Sequence, residues 1–580
     1  MPDPLSIRPD GRQPPLEVLS LREKTRALRV HLDDLPIDFN LDVRPEHFLA
    51  GLAFMSARQR YSCAESLIGA GFGGTALGSI SRSLFVNALR WLWIGADAER
   101  LTMLNGDLLH ERSGLCDVLE REHCTCPKLR AWLEPLSGIM PLTSPTESPS
   151  LAMPAEGSLL ANLVNQPARD PTVAGDSLMQ RAAELMGGAE LRGAALVLAH
   201  AGHGNYLGLQ SSLAEDSAIG HDLRFDHEAL FMQVAGAGVV ASTVASSSIA
   251  EHWWPDEVPR IPYLERALDL AKELSDAALL VHRLATRSRS APAVAIRAVE
   301  PVAFTPNPTS TIKPPVAWGQ SPYPSALMAA AEEYYEAVRS WSFDPWVRTE
   351  QTLHSILSWT GALSNLESVF ATYDQPGAGI ISPFAARALL EEAARTHWRF
   401  TEPDENAFRQ RATQFFDEFR ARRIKTINLL IGGGVPRSAA EDFLALPSYV
   451  DPSTISSTIT PGRVPIPSIT EMLHQLSAQY PEPGWMTVAY SLLSQATHAT
   501  PLGDLHLIGV DDRGMLSGGT ISNEILGLSV DTACTSSAVI LGLSALLFSE
   551  GSQDAVEYRN RLTIAGLKVH DAARLVHGLD

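Results

Sequence analysis

The sequence predicts an all-α protein made of two similar helical-bundle domains in tandem. Apolar residues recur at i, i+3 and i+4 along most of the chain, which is the period of an amphipathic helix. The period-2 alternation that is typical of strands is rare. Blocks of sequence from the first half recur in the second half at a nearly constant spacing, and a proline-rich run lies between the halves. These observations together predict an internal duplication with a linker.

Six segments show the helical period most clearly, and each is predicted to form a helix. The alternation in Asp504–Val510 is isolated, so it can form at most a small hairpin. In chain order, the predicted helices are Glu46–Leu67, Ala76–Trp93, Leu191–Leu213, Tyr263–Leu284, Ala326–Trp341 and Phe408–Leu430.

Two further stretches are long and almost free of charge. Phe231–Ala250 is rich in alanine, glycine and serine, and Leu526–Phe548 contains one acid, Asp531. Both features weaken a membrane-spanning interpretation, because a span needs a strongly apolar, uncharged stretch of about 20 residues. We therefore expect two buried core helices.

Proline-rich segments set the expected domain boundaries. Residues 1–15 have neither the basic start nor the apolar core of a signal peptide, and we expect a disordered leader. The first helical copy spans 16–287 and contains an irregular insertion, rich in proline, serine and threonine, at 141–171. Residues 288–325 have the composition of an extended, polyproline-like linker. The second copy spans 326–580.

The predicted duplication depends on four pairs of blocks that occur in the same order. The last two pairs are 295 residues apart and the pair that begins at Arg82 is 305 residues apart, so the first copy has about ten extra residues between them. Two such copies can pack about a pseudo-twofold axis, as the subunits of a homodimer do. The pairs are Glu65–Leu67 with Glu367–Val369, Arg82–Trp93 with Arg387–Trp398, Ala201–Gly208 with Ala496–Gly503, and Tyr263–Leu284 with Tyr558–Leu579.

Composition restricts the classes of partner. The 580 residues include 46 basic and 66 acidic side chains, for a net charge of −20, which makes nucleic acid an unlikely ligand because phosphate binding needs a basic field. Five cysteines in a chain of this length exclude a disulfide scaffold and fit a reducing compartment. We expect a cytoplasmic protein with a protein partner and no membrane association.

The candidate site lies in the second copy. Arg387 stands in an apolar helix with Glu391 four residues later and Arg395 eight residues later, a spacing that places all three on one helix face. His498 ends a later helix. We expect Arg387, Glu391 and His498 to form a catalytic or ligand-binding site if they meet in an open pocket. The structural alternative is a buried arginine that ties helices together and a histidine that interacts with a helix dipole.

The first copy has only part of this set. Arg82 and His203 match the arginine and the histidine, but Val86 stands at the position of the acid. We therefore expect a degenerate site in the first copy. His282 and His577 match each other on the last helix of each copy and are expected to be core histidines.

A cluster of metal-ligand residue types does not have the spacing of a zinc site. Structural zinc usually needs four ligands in paired Cys-x2-4-Cys and His-x3-5-His units. Only one tight cysteine pair is present, so we expect no metal site and free thiols instead. The cluster consists of His110, Cys116, His123, Cys124 and Cys126.

Two segments resemble motifs of ketoacyl synthases. Val530–Ser537 is similar to the segment around the nucleophilic cysteine of that family, and Gly71–Thr75 is similar to its glycine motif. Their order along the chain is reversed, and the 46 residues after Cys534 are too few for the family's histidine motifs. That activity is not expected. The chain also lacks a phosphate-binding GxxxxGK[ST] loop, HExxH and GxSxG, and we expect no cofactor.

The repeated blocks resemble a group of bacterial all-helical domains of unknown function. Those domains have an Arg-Ser-Leu-Phe-Glu-like helix and a Tyr-x-x-Leu-Ser-x-x-x-His-like helix. Arg82–Phe85 is similar to the first, and Tyr490–His498 is similar to the second. Ala195 and Ala199 replace the tyrosine and the serine in the first copy. The resemblance implies a fold class and no established activity.

We expect an interaction or regulatory protein without catalysis. The alternative is an enzyme or ligand-binding protein with its site in the second copy, including a helical ribonuclease of a stress or defence system. Ribonucleases of that kind have an arginine and a histidine a few residues apart on one helix. Arg387 and His397 are ten residues apart, and the net charge opposes RNA binding.

Overall fold

The structure is a computed structural model of the 580-residue chain. It describes residues 14–35, 45–70, 74–124, 154, 158–159, 174–187, 189–202, 224–249, 254, 258–284, 322–341, 350–372, 379–401, 405–445, 466–480, 484–506, 508–510, 516–518 and 521–578.

The all-α prediction is confirmed. The described part of the first half contains eight helices, and their buried faces follow the apolar period of the sequence. The predicted helix at Leu191–Leu213 is described only as far as Gly202. The helices are α1 (Leu16–Asp33), α2 (Pro45–Ala70), α3 (Gly74–Ile94), α4 (Ala98–Arg121), α5 (Ala174–Met186), α6 (Ala189–Gly202), α7 (Phe225–Ile249) and α8 (Arg260–His282).

The described part of the second half contains ten helices and one hairpin. Ser468, Ser522 and Ser552 cap the helices that follow them, each accepting a hydrogen bond from a backbone N–H of the first turn. The helices are α9 (Pro322–Arg339), α10 (Glu350–Phe370), α11 (Ile381–Phe400), α12 (Glu405–Gly432), α13 (Arg437–Phe443), α14 (Ile469–Ser477), α15 (Trp485–Thr497), α16 (Pro501–His506), α17 (Asn523–Phe548) and α18 (Gln553–Val576).

The segment Asp504–Val510 is only partly extended. Its first residues belong to α16, because Thr500 caps that helix by accepting a hydrogen bond from Gly503 N at 3.0 Å and Pro501 occupies the first helical position. The strand is limited to Ile508–Val510, which pairs antiparallel with Leu516–Gly518. The expectation of a small hairpin is correct, but the helical start was missed.

Two helices that are apolar on all sides form the centres of the two halves. Helix α7 and helix α17 are each long and apolar enough to cross a membrane. The most apolar stretch of α7 is wholly buried inside the protein, and 72% of that of α17 is buried. A helix that is apolar all round is stable in water only when other helices surround it. Both therefore serve as core helices in this structure.

The same order of helix contacts occurs in both halves. In the first half α7 packs against α2, α3 and α8, and α1 covers α8. In the second half α17 packs against α10, α11 and α18, and α9 covers α18. Matched tyrosines fix both covering helices: Tyr263 Oη donates to His31 O at 2.9 Å, and Tyr558 Oη donates to Val338 O at 3.2 Å.

Close approach in the first half requires a glycine. A Cβ atom at Gly238 of α7 would lie 2.8 Å from the backbone carbon of Leu84 in α3. That distance is shorter than a side chain tolerates, and the neighbouring atom is backbone that cannot move aside. The glycine therefore allows α3 to pack directly on the core helix.

Direct contacts join the two halves. Helix α3 packs against α10 and α11, and α2 packs against α16. Thr75 Oγ1 donates to Asn365 Oδ1 at 2.6 Å. Arg60 Nη2 donates to Asp504 Oδ1, also at 2.6 Å, and both side chains are buried. The junction thus combines apolar packing with buried polar contacts.

Candidate functional site

Helix α11 places the predicted arginine and acid together. The helix is buried over nearly its whole length, and Arg387 and Glu391 face the same side because they are one turn apart. Arg387 Nη2 lies 2.9 Å from Glu391 Oε1, and each side chain is 1% exposed. Arg395 Nη2 donates to Glu391 Oε2 at 2.9 Å. Both oxygens of Glu391 thus accept hydrogen bonds from guanidinium groups.

Helix α15 completes this cluster with two residues to which the sequence analysis gave no role. Arg387 Nε donates to Ser494 Oγ at 3.0 Å, and its Nη2 donates to Tyr490 Oη at 3.2 Å. Tyr490 Oη in turn donates to Glu391 Oε1 at 3.3 Å. The Arg387 guanidinium carbon lies 5.1 Å from the centre of the Tyr490 ring, within the range of a cation–π interaction. We call Arg387, Glu391, Arg395, Tyr490 and Ser494 the arginine cluster.

The tyrosine of this cluster is not poised to ionise. Burial raises the pKa of Tyr490, and the nearby Glu391 carboxylate raises it further, because both disfavour the phenolate. Tyr490 therefore remains a neutral hydrogen-bonding group at physiological pH. Tyr490 and Ser494 are four residues apart, so they lie on one face of α15. This spacing is the sequence feature that could have indicated their shared contact with Arg387.

His498 lies at the end of α15, one turn after Ser494. It is the residue that follows the last helical position, and its backbone N–H donates to Ser494 O at 2.9 Å. Its side chain is partly buried, and the next residue, Ala499, has a positive φ of 49°. The contacts from α15 to Arg387 described above come from Tyr490 and Ser494, not from the histidine.

The first half cannot build the same cluster. Arg82 lies on α3 with a partly buried side chain, but Val86 replaces the acid, and Ala195 and Ala199 of α6 replace the tyrosine and the serine. His203 lies outside the described residues. By sequence, the first half therefore lacks three members of the arginine cluster: the acid, the tyrosine and the serine.

A second buried polar cluster adjoins the first. His354 Nε2 lies 3.2 Å from Glu392 Oε1, and Ser358 Oγ donates to the same oxygen. Arg395 links the two clusters, because its Nη1 lies 3.6 Å from Glu392 Oε2. Burial raises the pKa of Glu392 to about 7 and lowers that of His354 well below its usual value. The sequence pattern does not indicate this cluster, because its residues lie on two helices.

The single acid of helix α17 has buried partners. Trp485 Nε1 donates to Asp531 Oδ2 at 2.9 Å, and His570 Nδ1 lies 3.0 Å from the same oxygen. These contacts explain how an apolar core helix can contain an aspartate. Cys534, one turn further along, is fully buried, and burial raises the pKa of its thiol well above the usual value. It is not an activated nucleophile, which agrees with the rejection of a ketoacyl synthase.

The first half has a buried polar cluster on its own core helix and last helix. Gln233 Nε2 donates to Ser275 Oγ at 2.8 Å, and His282 Nε2 lies 2.7 Å from Gln233 Oε1. Ser275 and His282 match His570 and His577 at the spacing of 295 residues. His282 and His577 are both buried, which supports their interpretation as core histidines.

Among the residues that the structure describes, no group of three or more histidine, cysteine, aspartate or glutamate side chains could hold a metal ion. Cys116 and Cys124 have intermediate exposure, whereas Cys126 lies outside the described residues.

Comparisons of the chain with protein-family models, with curated proteins and with solved structures find no match.

Proposed function

We propose that this protein is a non-catalytic interaction protein whose arginine cluster joins helices α11 and α15. The observation that supports this function best is the double pairing of Glu391. Each of its oxygens already accepts a hydrogen bond from an arginine. A general base needs a lone pair that can reach a substrate proton. Glu391 is 1% exposed and directs both oxygens at cations of its own helix.

The arginine has the same structural character. Arg387 directs its N–H groups at Ser494, Tyr490 and Glu391, all within hydrogen-bonding distance. An anion-binding arginine would instead direct its guanidinium fork at the ligand. The cluster therefore supports a helix-to-helix contact better than it supports substrate binding or RNA cleavage.

The duplication belongs to this proposal. Its support is the recurrence of helix contacts and of the Tyr263 and Tyr558 hydrogen bonds, together with a buried polar cluster on the last helix of each half, at His282 and at His570. Two copies of one domain, linked through residues 288–325, would behave as a fused dimer. Proteolysis at a cleavage site inserted into that linker tests this: the halves should stay associated after cleavage in a native gel, and separation would contradict it.

A comparison of a single variant with a double variant tests the role of the arginine cluster. Arg387→Ala should lower the free energy of unfolding by about 3–5 kcal/mol, because it leaves a buried carboxylate short of a partner. Arg387→Met combined with Glu391→Leu should cost less than Arg387→Ala alone, since both charges are removed together. Urea unfolding followed by circular dichroism measures this. Wild-type stability in Arg387→Ala would contradict the structural role.

His498 provides a separate test of the catalytic alternative. His498→Ala should change only stability, and the purified wild-type chain should leave a fluorescent single-stranded RNA intact. Cleavage of that RNA by the wild type, lost in His498→Ala, would establish the ribonuclease alternative instead.

A further inference from the structure

One pair of matched helices packs differently in the two halves. Helix α5 begins at Ala174 and helix α14 at Ile469, again 295 residues apart, and Leu178-Met179-Gln180 matches Leu473-His474-Gln475. Helix α5 packs against α7 and α8, the core helix and the last helix of its half. Helix α14 packs instead against α11 and α15. The counterpart of the α5 site, between α17 and α18, therefore has a different environment.

In the first half this site is apolar and covered. Met179 and Ala182 of α5 are buried, and Arg181 Nη2 donates to Asp269 Oδ1 of α8 at 2.8 Å. Val244 of the core helix and Leu264 and Leu268 of α8 are buried as well.

In the second half the matching positions are open. Arg559 and Thr563, which match the two leucines, are exposed, and Val539, which matches Val244, is only partly buried. Leu546 of α17 is also partly buried. Arg559 lies against Gly542 of α17, where a Cβ atom would come within 2.9 Å of its Cγ. Val539 and Leu546 of α17 and Arg559 of α18 therefore border the line along which the two helices pack, and we call this surface the groove.

The change of residues gives the groove a charge. Leu264 of α8 corresponds to Arg559 of α18, which lies one turn before Thr563 on the same side of the helix. Within the described residues Arg559 makes no ion pair. A chain with a net charge of −20 thus presents a local basic edge here. Such an edge favours an acidic partner, because complementary charge speeds association and fixes orientation.

We propose that this groove, formed by Val539, Leu546, Arg559 and Thr563, binds an acidic amphipathic helix of a partner protein. The inference rests on the proposed interaction function and names the chemistry of its partner. A helix fits, because the matching site in the first half holds helix α5 of this chain. An apolar stripe in a groove with charged flanks is a common mode of helix recognition.

A labelled peptide provides the probe. It has the sequence Ala174–Met186 with Gln180→Glu and Arg181→Glu, which keeps the apolar face of α5 and adds acidic flanks. Titration of the full-length chain, followed by fluorescence anisotropy, should show saturable binding. The unmodified peptide should bind at least tenfold more weakly. Arg559→Glu in the chain should weaken binding of the acidic peptide at least tenfold.

Arg561→Glu is the matched control, because it makes the same charge change two residues away on a different side of α18. It should leave binding within twofold of the wild type. Absence of saturable binding, or equal losses in Arg559→Glu and Arg561→Glu, would overturn the proposal. So would a dimer in sedimentation velocity that Arg559→Glu dissociates, which would identify a second copy as the occupant.

An occupant from the same chain gives a different result. In a background in which Cys116, Cys124 and Cys126 are replaced by serine, spin labels at Arg559→Cys and His474→Cys would report a short distance if α14 moved into the groove, and that result would also overturn the proposal. None of these outcomes bears on Arg387 and Glu391, which lie outside the groove. If the peptide fails to bind while Arg387→Ala still loses stability as expected, only the groove is wrong and the proposed function stands.

Discussion

Arg60 of the first half and Asp504 of the second form an ion pair of 2.6 Å in which the arginine side chain is fully buried and the aspartate is 4% exposed. Ser56 Oγ donates to the same carboxylate oxygen at 2.8 Å, and Arg60 Nη2 also donates to Ala496 O at 3.2 Å. Water does not screen this buried ion pair, so its loss should destabilise the junction between the halves.

The junction pair gives the first prediction. Asp504→Ala should lower the free energy of unfolding by about 3–5 kcal/mol, because it leaves the Arg60 charge buried without its carboxylate. Arg60→Met combined with Asp504→Leu should lose clearly less. Urea unfolding of the three proteins measures both effects. Equal losses in the single and double variants would show that the charges do not interact.

The arginine cluster gives the second prediction. Ser494→Ala should cost about 1–3 kcal/mol, since a hydrogen bond to a buried charged group is lost. Tyr490→Phe should cost a similar amount but keep the cation–π contact, so Tyr490→Leu should cost more.

Ser491 is the control for Ser494. It lies on the same helix, and its hydroxyl donates to the backbone oxygen of Thr487 at 2.9 Å. Ser491→Ala should stay within about 0.5 kcal/mol of the wild type in thermal or urea unfolding. Equal effects at the two serines would remove the special role of Ser494.

Glu392 gives a prediction about pH. Burial raises its pKa from 4.5 to about 7, so the folded state holds this proton over a range in which the unfolded state has released it. The contribution of protonated Glu392 to the stability of the fold is fully present below pH 4.5 and is lost as the pH rises to about 7. At 1.36 kcal/mol per pKa unit, the loss is about 3 kcal/mol.

Glu392→Gln should abolish that part of the slope. Urea unfolding at pH 5 and pH 8 should show a smaller loss of stability in the glutamine variant than in the wild type. Glu367 adds a slope of the same sign in both proteins, because burial raises its pKa to about 8. Identical slopes in the wild type and the variant would show that Glu392 ionises normally in the fold.

The cysteines give the fourth prediction. Cys63 and Cys534 are buried, and burial raises the pKa of both thiols, whereas Cys116 and Cys124 have intermediate exposure. The native protein treated with iodoacetamide should be alkylated at Cys116 and Cys124 well before Cys63 and Cys534, as followed by peptide mass spectrometry. Rapid alkylation of Cys534 would contradict the interpretation of Val530–Ser537 as core.

The sequence was sufficient to predict the all-α class and the pairing of Arg387 with Glu391, because both depend on the 3.6-residue period of a single helix. It was not sufficient to identify Tyr490 and Ser494 as their partners. That contact joins helices about 100 residues apart in the chain, and a helical period carries no information on which helices meet.

The partners of Asp531 show the same limit. A lone acid in an apolar helix indicates that some buried partner exists, but Trp485 and His570 belong to two other helices. The sequence also does not indicate that α5 and α14 pack against different helices. Their sequences match at 295 residues, and only the contacts with neighbouring helices differ.

The buried carboxyl group of Glu392 makes one place in the second half sensitive to a rise in pH, although Arg395 beside it partly offsets the effect of burial. At the spacing of 305 residues, the first half has Val86 and Asn87 in place of the two acids, and Asn87 Nδ2 donates to Ser242 Oγ at 3.4 Å. No carboxyl group has to ionise at this place in the first half. A rise in pH through about 7 therefore weakens the packing at this place in the second half, whereas the amide of Asn87 in the first half stays neutral.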